Sequence, residues 1–489
     1  MHEAKTGQFK KILIGFIILL IGTNLINYLL FGYKPKAVPA AMEPGEEESP
    51  GDVALLEELS LLKEVFDKVT ENYFEPVDRT ELIHGAIRGA LEALEDPQTS
   101  FLDSSDVENF LVNTTGTFGG IGVKIVNVDD SVVIYEVIPG TPAERGNLLP
   151  GDRIRAVDGT DLTGLSVNKA AKLLRGEAGS SVEIAIERPG AAEPFTLSLQ
   201  RDMIQTVTVT SKMLDDGLGY IKISNFDSRT GSSFSEQLFA LEAAGMEAGL
   251  ILDLRDNPGG LVDEAVKVAK ELVPEGEIAR LVDQHGQVRD IFYSIAPRKP
   301  YPLVVLVNED TASAAEIVAG ALQDRDAALL VGAKTYGKAT VQHLVRLSGG
   351  NALQLTVFKY LTPSGRDLHE QGLEPDYPVP ISPALRKYRQ FMPGKLEQGS
   401  IGTDIQLLQE ILSELGYPVE PSGFFDESTA AALASFQEDS GLAAHGRFDD
   451  LTWVQIREAL DRLAETGDVQ MEKALELIAQ PGQWAHLGR

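Results

Sequence analysis

The 489-residue sequence contains no cysteine. Disulfides, thiol nucleophiles, iron–sulfur clusters and thiolate zinc sites are therefore excluded together. Positive charge is also scarce: 43 Lys and Arg face 73 Asp and Glu, for a net charge of −30 and a pI near 4.6. Phosphate recognition wants a basic face, so a nucleic-acid partner is not expected. No G-x-S-x-G elbow and no H-E-x-x-H occurs, which removes the signatures of an ordinary α/β-hydrolase and of a zincin. The seven His are scattered, and His343 and His369 read as core or surface residues rather than triad members. Gly332–Lys338 mimics a phosphate-binding loop, but Ala339 stands where the Mg²⁺-binding hydroxyl belongs. Neither a metal nor a cofactor is expected.

What is present is enough chain for three or four domains, with an ordinary globular composition of 43% hydrophobic and 24% charged residues. Lys5, Lys10 and Lys11 precede an uncharged stretch from Ile12 to Gly32, long enough to span a bilayer. Signal peptides carry a shorter apolar run of about 7–15 residues, so an uncleaved anchor is the favoured reading. The positive flank predicts a cytoplasmic N-terminus and export of everything after it. Pro35, Pro39, Pro44 and Pro50 with Glu46–Glu48 read as an extended spacer. From Val53 the pattern turns helical, with Leu55, Leu56, Leu59, Leu62, Val65, Phe66 and Val69 recurring at three and four, and a second helical stretch runs from Leu82 to Leu94. Residues 116–200 alternate short β-rich runs with turns, and 207–380 read as α/β, with apolar strands Leu250–Leu254 and Leu303–Val307 each leading into a loop and a helix. Residues 400–460 read as a short helical module, and the amphipathic tail after 461 has no assignment.

Two side chains after successive strands could react. Ser313 sits in Thr311-Ala-Ser-Ala-Ala-Glu316, among small neighbours that leave its hydroxyl room. Its ordinary reading is a helix N-cap. Lys338 lies between Gly337 and Ala339 with Val341 close by, company that keeps water away; desolvation lowers a lysine pKa and lets the amine serve as a base. Its ordinary reading is a solvated lysine beside a turn. Gln342, four residues on, falls on the same side, where an amide can hold a neutral amine without adding charge. Asp253-Leu-Arg-Asp-Asn-Pro-Gly259-Gly260 follows a strand. Its glycines let backbone N–H groups approach a substrate as an oxyanion hole needs, although a plain turn has the same composition.

Asp253–Gly260, Thr311–Glu316, Thr335–Gln342 and Leu361-Thr-Pro-Ser-Gly365, in that order, resemble the motifs of the carboxyl-terminal processing proteases, with Lys338 following Ser313 by 25 residues. The resemblance implies a Ser–Lys endopeptidase with Ser313 as nucleophile, Lys338 as general base and Gln342 orienting it. It also implies oxyanion donors at Ala314 N–H and at Gly259 or Gly260. Ala315 and Ala339 depart from the family pattern without removing a reacting group. Phe118-Gly119-Gly120-Ile121-Gly122-Val123 resembles the carboxylate-binding loop of a PDZ domain, where successive N–H groups cradle a peptide C-terminus. In relatives of this architecture an arginine matching Arg175 relays peptide binding to the protease. Residues 400–460, with Gly402, Gln409, Asp426, Thr429, Phe436-Gln437 and Thr452, resemble a peptidoglycan-binding module, though its usual D-G-x-x-G turn is altered to His445–Asp449.

The expected architecture is multidomain α/β and α+β. It runs from a membrane helix (1–32) and linker (33–52) to a helical dimerisation segment (53–112), which in close relatives intertwines two subunits. A PDZ domain, a small β barrel with helices, follows (113–205), then an α/β Ser–Lys protease core (206–385), a three-helix peptidoglycan-binding module (398–460) and a tail (461–489). The expected partners are protein substrates with exposed C-terminal tails, peptidoglycan and a second copy of the chain. The expected location is the extracytoplasmic face of a bacterial membrane. A reading from a different class is a non-catalytic PDZ and wall-binding scaffold, which loss of Ser313 or Lys338 would have favoured.

Overall fold

A computed structural model describes residues 50–128, 130–191, 193–381, 396, 398–480 and 484. The anchor at 1–32, most of the linker and the basic stretch around Pro393 lie outside the described residues. Among those described, no helix is long and apolar enough to cross a membrane. The chain divides into two units, 1–86 and 87–489.

In the first unit, α1 (Pro50–Asn72) is followed by α2 (Arg79–Glu92), which begins after Asp78 accepts the Thr80 N–H at 2.7 Å and runs on into the second unit. The apolar stripe of α1 is exposed at Leu59, Leu62 and Val65, as is Leu61 off that stripe, and Phe74 just after the helix is 80% exposed.

The second unit opens with β1 (Ser100–Leu102) and α3 (Ser104–Thr115), capped by Asp103 and closed by Gly116 at φ 65°. A β-rich domain follows: β2 (Thr117–Gly120), β3 (Val123–Val128), β4 (Ser131–Val137), α4 (Pro142–Arg145), β5 (Arg153–Val157), β6 (Thr160–Asp161), α5 (Val167–Leu174), β7 (Ser181–Glu187), β8 (Phe195–Gln200) and β9 (Asp202–Gln205). Its sheet order is β3-β4-β5-β7-β8, with β6 on β5, while β2 pairs separately with β9. The period of two decides the two faces. Val132 and Ile134 pack inward on Ile154, Ile184 and Ile186, whereas Val133 joins an apolar cluster on the other side.

The next elements are β10 (Val209–Met213), β11 (Leu218–Ile223), α6 (Thr230–Ala243), β12 (Gly249–Asp253), α7 (Val262–Leu272), β13 (Gly276–Val282), β14 (Val288–Ser294), β15 (Leu303–Val307), α8 (Ala314–Asp324), β16 (Leu329–Gly332), β17 (Thr340–Arg346), β18 (Ala352–Leu361) and β19 (Tyr377–Pro378). The main sheet has the order β10-β11-β12-β15-β16-β19, parallel from β11 onward. Its central strands are buried along their whole length, as a parallel sheet covered on both faces requires. Leu250, Leu252, Val305 and Val307 face Phe234, Val268 and Val318 of α6, α7 and α8. Ile251, Val304 and Leu306 face the opposite way, onto Ala474 and Leu477.

Those two residues belong to the tail that the sequence left unassigned. After α9 (Thr403–Glu414), α10 (Glu427–Asp439) and α11 (Asp450–Thr466), the chain forms α12 (Val469–Ile478). This helix returns to the six-stranded, mostly parallel sheet and completes its second layer. A further departure concerns residues 53–112, which are not wholly helical. Ser100–Leu102 pairs antiparallel with β18, Ser100 opposite Gln354, in a second sheet of order β1-β18-β13-β14 with β17 on β18.

In the α9–α11 module the recognised motif residues are structural. Asp426 accepts the Thr429 N–H at 2.8 Å to cap α10, Gln409 Nε2 donates to Thr429 Oγ1 at 2.8 Å, and Phe436 is buried. Leu408, Phe436 and Trp453 form one apolar cluster with Val126 and Val133 of β3 and β4, so the module is docked on the outer face of the β-rich domain.

Candidate active site

Ser313 ends the loop between β15 and α8, at the N-cap of the helix, with φ 54° and ψ −117°. Positive φ in a residue with a side chain marks a turn held under strain by its surroundings. The surroundings are explicit. The Ser313 N–H donates to Glu316 Oε2 at 2.8 Å, Ala312 N–H donates to the Asn257 carbonyl at 2.9 Å, and Thr311 Oγ1 donates to the Leu254 carbonyl at 2.9 Å. The N-cap reading of Ser313 therefore holds for the backbone, and the residue still sits where a strained strand-to-helix turn presents a hydroxyl.

Glu316 was not singled out in the sequence, yet it ties the serine turn to the lysine loop. Oε2 accepts Ser313 N–H and Lys338 N–H (2.9 Å), and Oε1 accepts Thr335 Oγ1 (2.5 Å) and Gly337 N–H (2.9 Å). The residue is fully buried, and burial pushes its carboxyl up while these four donors pull it down. The signal was present as S-x-x-E, Ser313 to Glu316, the capping-box pattern. Tyr360, buried, adds a second tie: its hydroxyl lies 3.2 Å from the carbonyl oxygens of both Ser313 and Lys338.

Lys338 is half-buried, and burial lowers its pKa, opposed only by the charge of Asp96. Among the described residues no carboxylate forms an ion pair with its Nζ. A lysine so placed gives up a proton more readily than one in water. Gln342 is not brought to it by any described hydrogen bond. Its Nε2 donates to Thr340 Oγ1 at 3.0 Å and to Thr356 Oγ1 at 3.1 Å.

The glycine turn lies against the serine. A Cβ on Gly259, where φ is 102°, would fall 2.7 Å from Ser313 Cβ and 2.9 Å from Ala314 N. Only glycine allows that approach. The Gly259 N–H already donates to Asn257 Oδ1 at 2.9 Å. Among the described residues the N–H groups of Gly260 and Ala314 carry no such bond. No hydrogen bond between Ser313 Oγ and Lys338 Nζ is seen among the described residues; what the structure brings together is their backbones, through Glu316 and Tyr360, with two open amides at the serine turn of the kind acyl transfer needs.

In the β-rich domain the Gly119–Val123 loop has its carbonyls engaged: Ile121 accepts Ala143 N–H at 2.8 Å and Gly122 accepts Ile138 N–H at 2.9 Å. No acceptor for the N–H of Ile121 or Gly122 is seen among the described residues, which suits a carboxylate cradle. Strand β3, which follows the loop, is an edge of its sheet beside α5. Arg175 is apart from the catalytic candidates. It donates to Asn109 Oδ1 at 2.5 Å and lies over the Phe118 ring at 5.1 Å, with burial lowering its pKa.

Residues 217–379 match the family described as peptidase family S41, 133–188 a PDZ domain, 401–456 a peptidoglycan-binding domain, and 22–106 the N-terminal domain of the activating protease CtpB. Carboxy-terminal processing protease CtpA of Bacillus subtilis is 32% identical over 419 residues, spanning 85% of this chain and 89% of the relative. The chloroplastic C-terminal processing peptidase of Tetradesmus obliquus is 38% identical over 330 residues, 63% of this chain and 71% of its own. Among solved structures, the photosystem II D1 C-terminal processing protease has 33% identity and a TM-score of 0.42, covering 68% of this chain and 94% of its own.

Proposed function

The chain belongs to the carboxy-terminal processing proteases of peptidase family S41, which are serine proteases, and we propose that it works as a Ser–Lys endopeptidase on protein tails. The observation that carries the reading is the clamp at Glu316, which binds the Ser313 turn and the Lys338 loop through one buried carboxylate. In this mechanism Ser313 Oγ attacks the scissile carbonyl and its proton passes to neutral Lys338. The oxyanion is received by Ala314 N–H and by the Gly259–Gly260 turn, through Gly260 N–H while Gly259 N–H stays on Asn257. Lys338 then returns the proton to the leaving amine, and water hydrolyses the acyl-enzyme. Gln342 would orient Lys338 only after leaving Thr340 or Thr356.

The PDZ domain supports a protein substrate held by its C-terminal carboxylate in the Gly119–Val123 loop, with the peptide adding to the free edge of β3. Arg175, over Phe118 just before that loop, is the candidate relay. The C-terminal module supports peptidoglycan as a second partner. Anchoring by residues 1–32, an extracytoplasmic catalytic part and a homodimer through the exposed stripe of α1 complete the proposal. The test is Ser313→Ala in the full chain against an unfolded protein with a free C-terminus. Cleavage should fall by roughly 10⁴-fold while the thermal unfolding curve keeps its midpoint; equal cleavage by the variant would return the molecule to the scaffold reading.

A further inference from the structure

The tail helix α12 does more than cover the sheet. Its N-cap, Asp468, accepts the Met471 N–H at 2.9 Å and also pairs with Arg255, which donates from Nη1 to Oδ1 at 2.8 Å and brings Nη2 within 2.8 Å of Oδ2. Two residues on, Gln470 Oε1 accepts Arg255 Nη1 at 3.2 Å, and Gln470 Nε2 donates to the Val379 carbonyl at 2.8 Å. The inner edge of the same guanidinium is held by fully buried Asp253, through Nε at 2.9 Å and Nη2 at 2.7 Å, and Tyr220 donates to that carboxylate at 2.8 Å. Arg255 is therefore gripped from the sheet on one side and from the C-terminal tail on the other.

Arg255 opens the segment that ends in the glycine turn. Asp256 follows at φ 62°, locked by a reciprocal pair with Asn308: its N–H donates to Asn308 Oδ1 at 2.9 Å and its Oδ1 accepts Asn308 Nδ2 at 2.8 Å. Asn257 comes next, giving its carbonyl to Ala312 N–H and its side-chain oxygen to Gly259 N–H. We infer that Asp468, assisted by Gln470, is a positioning residue which acts through Arg255 to fix the Asn257–Gly260 turn against Ser313. The inference rests on Ser313 being the nucleophile beside that turn. Its physical basis is preorganisation: amides that receive a developing oxyanion help only if they need not move, and a misplacement of about 1 Å costs on the order of 10²-fold in rate.

The experiment compares full-length wild type with Asp468→Asn, Asp468→Ala, Asp468→Glu and Ser313→Ala on a fluorogenic peptide with a free C-terminus. Asparagine caps a helix about as well as aspartate, so Asp468→Asn keeps α12 and weakens only the grip on Arg255. The expected result is a fall in kcat of about 10-fold for Asp468→Asn and more for Asp468→Ala, with KM unchanged and Asp468→Glu recovering part of the loss, as oxyanion geometry predicts. Unchanged kcat in Asp468→Asn and Asp468→Ala beside an inactive Ser313→Ala overturns the positioning role alone. So does a lowered melting temperature with normal kcat below the transition. Activity retained in Ser313→Ala overturns the nucleophile assignment, and this inference with it.

Discussion

Ser313 and Lys338 each depend on an environment that single residues create. As the proposed base, Lys338 must be neutral to take the serine proton, and an unperturbed lysine with a pKa near 10.4 is almost wholly charged at pH 7. Burial depresses the value, so the base fraction grows as pH rises through the shifted pKa and kcat/KM should rise with it. Asp96 stabilises the ammonium form. Asp96→Asn should therefore move that rise to lower pH, and a pH–rate profile that stays put or moves upward removes Asp96 from the electrostatics of the site. Lys338→Arg should lose about 10³-fold or more, because a guanidinium does not deprotonate; near-normal turnover would end the Ser–Lys mechanism. Glu316→Gln is expected to cost about 1–3 kcal/mol of stability, since the new amide hydrogens face existing donors. Denaturant melts beside kcat would show both losses together, and a stable, fully active Glu316→Gln would mean that the carboxylate does not hold the site.

At the scale of elements, the site is a meeting of two strand-to-helix turns and one strand-to-strand loop. Gly259→Ala tests the closest approach, because its Cβ would lie 2.7 Å from Ser313 Cβ at a φ that alanine disfavours. Activity should fall by about 10²-fold or more, measured as kcat/KM on a short peptide that does not depend on the PDZ domain. The Gly119–Val123 loop discriminates between its glycines. A Cβ on Gly122 would lie within 2.5 Å of three Thr141 atoms, so bulk there disrupts the fold, whereas one on Gly120 meets only the Phe118 ring and Ile204 at 3.0 Å or more. Gly120→Ala is the cleaner probe, and it should weaken cleavage of tailed substrates more than of tail-free ones. Both turns were legible in the sequence because apolar strands ended in small residues and glycines. The Glu316 hub was less so, since its donors at 313, 335, 337 and 338 come from two separate segments. The pairing of Ser100–Leu102 with β18 was not legible at all, because a three-residue strand some 250 residues from its partner carries no local sign of it. The tail failed for a related reason: amphipathicity announces a buried face but not the sheet that buries it.

The whole molecule alternates between its parts in a way the order of domains does not suggest. After the protease sheet the chain passes into the α9–α11 module, seated on the outer face of the PDZ domain, and then returns through α12 to the protease sheet. The module therefore links the PDZ domain to the protease domain, without a described contact of its own to Ser313. Its seam is apolar at Val126, Val133 and Trp453, with Tyr135 edge-on to Trp453 at 6.2 Å and Arg457 over both rings. At its border, Arg153 of β5 pairs with Asp450 at the start of α11, whose side chain is 4% exposed. Taking one partner from a pair so nearly buried costs up to roughly 3–5 kcal/mol, and less here because Arg153 is itself 30% exposed. Arg153→Ala should consequently loosen the seam rather than unfold either domain. Hydrogen exchange should quicken in β4 and α11 together, with the α6–α8 face of the protease sheet unchanged. If the seam carries tail capture to the protease, the same variant should raise KM for tailed substrates and leave kcat on a short tail-free peptide intact. Unaltered exchange at β4 would show that the apolar contacts hold the module without the ion pair. Faster exchange with unaltered KM would show that the seam is a structural joint and no relay.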